Sequence, residues 1–178
     1  MDFNEVVEQR RSVRKYKESS CSQEKILSIL DFVKENAPSW KNSQTHRYFA
    51  VFSKEKMAEI EKTLHFINQG KCENAVALIV SGFEKNISGF TLKIADNECG
   101  NLWGAYDLGL SDSLLILKAK EQNLDTLIMG LRDSEKIRKI LNIPENIQIM
   151  SVISVGERKE SEIKKPPKKS FDEVVFKY

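Results

Sequence analysis

The apolar residues that follow Ser22 recur with the spacing of an α-helix. Ser22 is a candidate N-cap, and Ala37-Pro38 ends the segment because proline disfavours helical geometry in the residue before it. The apolar positions, at i, i+3, i+4 and i+7, share one face; they are Ile26, Ile29, Leu30 and Val33. The pattern therefore predicts an amphipathic helix that covers one side of a core. A shorter helix is predicted over residues 2–9, immediately before a basic cluster.

Two later segments show the same periodicity behind a candidate N-cap. One follows Ser53, and the other follows Asp133 and is closed by Asn142-Ile143-Pro144. We predict a helix from each of them. The apolar stripe of the first helix comprises Met57, Ile60, Leu64 and Ile67, and that of the second comprises Ile137, Ile140 and Leu141.

Runs rich in β-branched and aromatic residues predict strands over residues 48–52, 75–80, 124–129 and 149–155. The run 75–80 is apolar at every position. Because a continuously apolar strand is covered on both faces, helices are expected above and below the sheet. The length of 178 residues suits one compact domain. We therefore predict a single three-layer domain over residues 1–178.

Two segments suggest contact with another subunit. The segment from Asn101 to Gln122 has helical spacing but is apolar around nearly its whole circumference, so it must be buried in the core or against a second chain. Residues 164–169 are lysines and prolines, which predict an extended arm over residues 164–178. The end of this arm carries apolar side chains that could dock on a neighbour; they are Phe171, Val174, Val175 and Phe176.

The composition excludes several classes of protein. Apolar residues make up 40% and charged residues 30%, which excludes disorder for most of the chain. The net charge of +2 creates no general attraction to nucleic acid or to an anionic membrane. The most apolar stretch, residues 102–117, contains Asp107 and Asp112 and is too short to span a bilayer. The first residues also lack the features of a signal peptide.

The cysteines and histidines indicate neither a disulfide framework nor a metal site. Cys21, Cys72 and Cys99 are odd in number and far apart in sequence, as in reduced cytoplasmic proteins. His46 and His65 are the histidines of the chain, and neither belongs to a metal-ligand spacing. We expect a cytoplasmic protein without a bound metal.

Four donors within five positions form a compact cluster after the first helix: Arg10, Arg11, Ser12 and Arg14. Guanidinium and hydroxyl groups match the charge and geometry of phosphate oxygens, so the cluster favours phosphate binding. A solvated basic turn at a helix C-terminus is an equally good explanation of the composition alone. A nucleic-acid site is disfavoured because such sites spread basic and aromatic residues over a face.

Two other segments carry candidate binding groups. The loop Pro38-Ser39-Trp40-Lys41-Asn42-Ser43-Gln44-Thr45 is dense in donors and acceptors that suit the edge of a heterocycle, although it could simply satisfy local backbone groups. The turn Met129-Gly130-Leu131-Arg132 contains a glycine at which backbone could approach a ligand, or is an ordinary strand-to-helix turn. The chain contains no GxGxxG after its first strand, no GxxxxGK[ST] and no GxSxG.

Taken together and in this order, the motifs resemble the FMN-dependent nitroreductase family. The resemblance rests on Arg10-Arg11-Ser12-Val13-Arg14-Lys15-Tyr16, Ala37-Pro38-Ser39-Trp40-Lys41-Asn42-Ser43-Gln44, Trp103-Gly104-Ala105-Tyr106-Asp107-Leu108-Gly109-Leu110, Leu127-Ile128-Met129-Gly130 and the basic tail. It implies an α+β, three-layer α/β/α fold with a mainly antiparallel central sheet. It also implies a homodimer that exchanges its C-terminal arm and binds two FMN molecules at the interface.

The resemblance implies an oxidoreductase that takes a hydride from NADH or NADPH and reduces a nitroaromatic, a quinone or a similar small acceptor by a ping-pong mechanism. The chemistry would then belong to the flavin, with no catalytic protein residue. Positive charge from Arg14, with a contribution from Lys41, would stabilise the negative charge that the flavin gains on reduction. The alternative is a flavin store or redox sensor with little turnover.

The resemblance also assigns cofactor contacts. The positions of Arg10, Arg11, Ser12 and Arg14 would hold the phosphate and ribityl chain. The partner would contribute Pro38, Ser39, Trp40 and Asn42. The backbone of Met129, Gly130 and Leu131 would approach the reactive nitrogen, and Lys168 or Lys169 would close on the phosphate. Asn68 and Gln69 are both open as a further polar contact.

Two features depart from the family pattern. Trp40-Lys41 replaces small residues, and the stretch between Phe83 and Asn101 is short, which predicts a more open pocket.

Overall fold

The computed structural model describes residues 1–160 and 163–178, and these ranges contain both helices and strands. The helices are α1 (Phe3–Gln9), α2 (Gln23–Asn36), α3 (Lys54–Glu61), α4 (Leu102–Glu121) and α5 (Ser134–Leu141). The strands are β1 (His46–Val51), β2 (Ala77–Glu84), β3 (Phe90–Thr91), β4 (Ile94–Ala95), β5 (Asp125–Met129) and β6 (Ile147–Gly156). Short 3₁₀ turns occupy Trp40–Asn42, Phe66–Asn68 and Phe171–Glu173.

The central sheet has the strand order β1-β2-β6-β5, and each neighbouring pair is antiparallel. A bulge between Ser81 and Gly82 interrupts the β2–β6 register. A Cβ atom at Gly82 would lie 2.6 Å from the Gln148 carbonyl oxygen, so only glycine permits this close approach. The sheet confirms the prediction of an α+β fold with a mainly antiparallel sheet.

Hydrophobic clusters on both faces of the sheet confirm the three layers. On one face, Met57 and Ile60 of α3 pack with Ile137 of α5 against alternate strand residues. On the other face, α2 and α4 cover the intervening strand residues, and Val33 and Leu115 are completely buried. The continuous apolar pattern of β2 therefore has the expected cause, because its side chains alternate between two cores.

The predicted N-caps are confirmed at three helices. Ser22, Ser53 and Asp133 each accept a hydrogen bond from the backbone N–H three residues later. These bonds satisfy donors that have no partner within the helix. At the other end of α5, Asn142 adopts the left-handed conformation with φ 53° and closes the helix as predicted.

The prediction that the stripe of α3 extends to Ile67 was wrong. The helix ends at Glu61, and the Thr63 hydroxyl donates to the Ile60 carbonyl as the chain turns. Leu64 is buried because it forms a β-bridge with Arg132, whereas Ile67 is 47% exposed. Leu64 therefore owes its burial to a contact with a distant segment, although its position fits the apolar spacing of a longer helix.

The strand boundaries differ by a few residues from the predicted ones, and one hairpin was not predicted. Strands β3 and β4 have two residues each and are joined by Leu92-Lys93, both with positive φ. Neither residue is one of the usual left-handed turn formers, so the sequence lacks the usual signal for this hairpin. It occupies part of the short stretch between Phe83 and Asn101.

Helix α4 is covered by its own chain on one side. Leu108 and Leu115 are buried, whereas Leu102 is 68% and Tyr106 is 60% exposed. The C-terminal residues 164–178 are also exposed, including Phe171 and Phe176. Among the described residues, no helix combines the length and apolar character needed to cross a membrane.

Candidate functional site

The basic segment lies against the open edge of β5. The Val13 N–H donates to the Thr126 carbonyl at 3.0 Å, and Ser12 and Thr126 form a parallel bridge. Further along, Tyr16 bridges Arg158 beyond the end of β6. Because side chains alternate along an extended segment, Val13 enters the core while Ser12 and Arg14 are exposed. Tyr16 is also buried, at its bridge to Arg158. The segment therefore presents its polar side chains to solvent from a fixed backbone.

Arg11 stabilises this segment through hydrogen bonds to backbone carbonyls. Its guanidinium donates to the carbonyls of Glu8 and Arg10, which lie at the end of α1. Its Nε also donates to the Ile163 carbonyl at 3.3 Å, so the C-terminal arm begins beside the basic cluster. Lys168 and Lys169 lie on this exposed arm, within about 20 Å of extended chain from Ile163. The structure brings them into reach of the cluster without placing them in contact with it.

A buried ionic network anchors the segment. Asp125, which is 4% exposed, accepts two hydrogen bonds from the Arg158 guanidinium, one of them 2.7 Å long from Nε. The Lys120 ammonium lies 3.5 Å from the same carboxylate. Arg158 also donates to the Gln9 carbonyl at 3.1 Å, directly before Arg10. The carboxylate in turn raises the pKa of Arg158, because it stabilises the charged guanidinium.

A cavity of about 900 Å³ adjoins the basic segment. Arg14 and Lys15 line one side, and Gln69, Gly70 and Lys71 line the other. Asn68 is buried and accepts a hydrogen bond from Lys71 at 3.1 Å, so of the two candidate polar contacts only Gln69 lines the cavity. The volume lies within the range of small-molecule sites.

The turn after β5 offers backbone with free space above it. Met129 is buried, so its side chain belongs to the core, while Leu131 is 53% exposed. A Cβ atom at Gly130 would meet nothing within 4 Å. The protein's own packing therefore does not require glycine here, and a bound group could occupy the space. The Leu131 carbonyl accepts from the His65 N–H at 3.0 Å, which holds the turn against the chain that follows α3.

The loop containing Pro38, Ser39, Trp40 and Asn42 is fixed by other parts of the chain. Buried Asp107 of α4 accepts from the Trp40 N–H at 3.0 Å and from the Ser88 hydroxyl at 2.6 Å. The Trp40 ring also packs against Trp103, with ring centroids 4.4 Å apart. Ser39 accepts from the Gln44 N–H, and Pro38 and Asn42 are exposed.

Lys41 is engaged within its own chain. Its ammonium donates to the Thr91 hydroxyl at 2.9 Å and to the Asp96 carboxylate at 3.1 Å. It therefore joins the loop to the β3–β4 hairpin. The hydrogen bond from Thr91 lowers the pKa of Asp96, and the Lys41 ammonium lowers it further. The expected contribution of Lys41 to the flavin's electrostatics finds no support in this arrangement, because a carboxylate already neutralises its charge.

The loop and the basic segment lie at opposite corners of the sheet. Thr126, next to Ser12, is in register with Val155 and Ala77, whereas the loop leads into His46, which pairs with Phe83. The edges β5 and β1 are three strand spacings apart, about 14 Å, and Ala77 and Phe83 are about 20 Å apart along β2. Within one chain the basic segment and Gly130 therefore lie along the same edge strand, with Gly130 about 13 Å from Thr126, whereas the loop lies at the far corner of the sheet.

Sequence reasoning missed several residues that shape the site. Lys71 shares the cavity with Arg14, and Arg132 holds the Gly130 carbonyl. Asp107 holds the Trp40 loop from a helix that the sequence marks only as apolar. The sole local signals are the polar stretch Asn68-Gln69-Gly70-Lys71 and two carboxylates inside an apolar helix.

Comparison with known proteins identifies the family of the chain. The model of a family described as the nitroreductase family matches residues 7–157. A similar sequence from Archaeoglobus fulgidus, provisionally named an NADH dehydrogenase/NAD(P)H nitroreductase, is 27% identical over 155 residues, 85% of this chain and 82% of that protein.

Solved structures share the fold over nearly the whole chain. A nitroreductase family protein from Streptococcus pneumoniae superposes with a TM-score of 0.86 at 19% identity, covering 99% of this chain and 100% of that one. An FMN-dependent nitroreductase from Clostridium difficile has a TM-score of 0.75 at 24% identity, with 96% of each chain covered. With the family model matched from the first helix to the last strand, the chain belongs to the nitroreductase family.

Proposed function

We propose that this chain is an FMN-dependent oxidoreductase that takes a hydride from NADH or NADPH and reduces a small acceptor, such as a nitroaromatic or a quinone, in a ping-pong cycle. The observation that carries the proposal is the margin of the sheet along β5, which carries the basic segment and a polar cavity beside Thr126 and open space over Gly130 at the end of the strand. FMN, when bound, supplies the hydride and electron-transfer chemistry. The similarity of the fold to that of an FMN-dependent nitroreductase from Clostridium difficile supports this choice of cofactor.

The residues along this margin fit the parts of FMN in order. Arg10, Ser12 and Arg14 offer cationic and hydroxyl donors to the phosphate and ribityl chain. Arg11 holds the end of α1 and the start of the arm, and Lys168 or Lys169 further along this arm would close over the phosphate. The cavity beside Arg14 and Lys71 would accept the polar edge of the flavin, whose negative charge on reduction these cations would stabilise. The turn of Met129, Gly130 and Leu131 would contact the ring through its backbone.

The complete site requires two copies of the chain. Pro38, Ser39, Trp40 and Asn42 lie about 25 Å from the basic segment of their own chain, so they would serve the site of a partner. The exposed apolar side chains of Leu102 and Tyr106 offer a surface that a second copy would cover. The exposed apolar end of residues 164–178 would dock on that partner as an exchanged arm.

A second candidate function is a flavin store or redox sensor with little turnover. The same cofactor contacts would serve it, and the short cover between Phe83 and Asn101 favours neither function. Reaction with a reduced nicotinamide separates the two.

The first experiment is the visible absorption spectrum of the purified, desalted protein, before and after anaerobic addition of NADH and then NADPH. Bleaching of a retained flavin spectrum supports the oxidoreductase. A flavin that binds but does not bleach favours the store or sensor, and failure to bind added FMN refutes both. Arg14→Ala should lose FMN retention. Lys56→Ala, which removes one positive charge from the exposed face of α3, should not.

Mixing two inactive variants tests whether the site spans two chains. Arg14→Ala damages the phosphate side, and Trp40→Ala damages the loop side. If each site combines both sides from different chains, random mixing in a two-fold symmetric dimer restores about one quarter of the sites. If FMN capacity in the mixture does not exceed that of the separate variants, the loop does not serve a partner's site.

A further inference from the structure

Arg132 lies directly after the turn that would contact the flavin, and its guanidinium bridges two backbone carbonyls. One nitrogen donates to the Gly130 carbonyl at 3.0 Å, and the other terminal nitrogen donates to the Ile149 carbonyl of β6. Its Nε atom is buried and has no partner among the described residues. Burial lowers the pKa of Arg132, but a guanidinium remains charged at neutral pH. A half-buried cation therefore lies immediately behind the turn.

The bond to the Gly130 carbonyl also fixes the direction of the neighbouring N–H. The carbonyl of Gly130 and the N–H of Leu131 belong to one peptide unit, and no cis peptide occurs in the described residues. In a trans unit the two groups point in opposite directions. The Leu131 N–H therefore points away from the guanidinium, and it donates to no protein acceptor within the described chain. The next carbonyl, that of Leu131, is held by the His65 N–H.

A cationic donor on a carbonyl strengthens the N–H of the same peptide unit. Hydrogen bonds to ionised groups are stronger than neutral ones, and a bond to the carbonyl of a peptide unit polarises the N–H of that unit. The positive charge withdraws electron density from the Gly130–Leu131 peptide, so its N–H becomes a better donor. The arrangement is preorganised, because both flanking carbonyls are already bound.

We infer that Arg132 is a positioning residue that aims and strengthens the Leu131 N–H as a hydrogen-bond donor to an electron-rich nitrogen of the flavin ring. The inference rests on the proposed function for the identity of the ligand, whereas the clamp itself rests on contacts within the chain. The guanidinium behind this donor also places a positive charge near the ring, which stabilises the negative charge that the flavin gains on reduction. Arg132 therefore shifts the equilibrium between oxidised and reduced flavin toward the reduced form.

The test compares Arg132→Gln with a matched variant, Arg138→Gln. Arg138 also bridges backbone carbonyls, including those of Pro144 and Ile147, and its Nε is likewise buried without a hydrogen bond among the described residues, although two exposed carboxylates lie within 4.0 Å of it. It serves the turn after α5. Two quantities are measured for wild type and both variants. The first is the amide proton shift and exchange rate of Leu131 in the FMN-free protein, and the second is the ratio of oxidised to reduced flavin against a redox dye.

We expect Arg132→Gln to move the Leu131 amide proton upfield and to shift the flavin ratio about tenfold toward the oxidised form, which for two electrons is about 30 mV. Arg138→Gln should leave both unchanged, and Arg132→Lys should restore part of the shift by returning the charge. An unchanged Leu131 amide or flavin ratio in Arg132→Gln overturns the inference while the proposed function stands. If the wild-type chain binds no FMN, the proposed function fails, and the flavin role of Arg132 fails with it.

Discussion

Asp125→Ala removes the carboxylate that pairs with two enclosed cations at the base of the basic segment. The side chains of Asp125, Lys120 and Arg158 are 3%, 9% and 19% exposed, so water screens their interaction weakly. The substitution leaves both cations without this partner. It also releases Arg158, which holds the Gln9 carbonyl immediately before the basic cluster.

The expected loss of stability follows from these contacts. Two charge-assisted hydrogen bonds from Arg158 contribute about 1.5–3 kcal/mol each, and breaking a buried ion pair on one side typically costs about 3–5 kcal/mol. Because Arg158 retains some exposure and can turn toward solvent, we expect the lower end, about 3 kcal/mol. With a slope of about 2 kcal/mol per molar urea, the unfolding midpoint falls by about 1.5 M.

The assay is urea unfolding of the FMN-free protein at one fixed protein concentration, because association of two copies would make stability depend on concentration. Glu59→Ala is the matched control, since it removes a carboxylate from an exposed pair with Lys56 and should cost less than about 1 kcal/mol. A loss for Asp125→Ala no larger than that of Glu59→Ala would refute the reasoning. FMN affinity should fall in the Asp125 variant alone.

Three further predictions follow from local geometry. Gly130→Ala should change stability by less than about 0.5 kcal/mol, because its Cβ meets no atom within 4 Å, yet weaken FMN binding in a fluorescence titration. Burial raises the pKa of Asp112, so the folded state holds that proton more tightly than the unfolded chain, and stability declines as pH rises from about 4. Asp112→Asn should remove this decline in urea unfolding across pH 4–8, and an unchanged profile would contradict it. Lys41→Ala breaks a half-exposed pair with Asp96 and should cost less than about 1 kcal/mol. Because it frees the β3–β4 hairpin, it should change KM for a bulky acceptor without changing the rate of flavin bleaching by NADH.

The local elements of the fold could be predicted because their causes are local. The N-caps at Ser22, Ser53 and Asp133 bond to backbone groups three residues away, which a short stretch of sequence contains completely. The two-sided burial of β2 follows from its own composition. By contrast, Leu64 is buried through a bridge to Arg132, and no local spacing separates that cause from a longer α3.

The candidate site residues likewise divide into features that the local sequence reveals and contacts that only the fold reveals. The sequence shows the basic cluster as a set of hydrogen-bond donors. Its composition alone fits a solvated turn and a binding segment equally well. The structure shows that Val13 and Tyr16 fix the segment on a sheet edge and that Arg14 borders a cavity. The sequence shows Lys41 as a charged residue where the family pattern has small ones. It does not reveal the partner of Lys41, because Asp96 directly follows a hairpin that lacks a turn signature.

The sequence by itself determined the helices and their caps, the buried strands, the balance of charge and the inventory of donors that fits a flavin phosphate. Tertiary structure decided which of these donors meet. Antiparallel pairing of β5 with β6 leaves Thr126 on an open edge for Ser12, and the order β1-β2-β6-β5 sends the Trp40 loop to the opposite corner. It also placed the Arg132 guanidinium between carbonyls 19 positions apart. Periodicity and capping act over a few residues, whereas strand order and buried ion pairs depend on distant segments meeting, which no local pattern specifies.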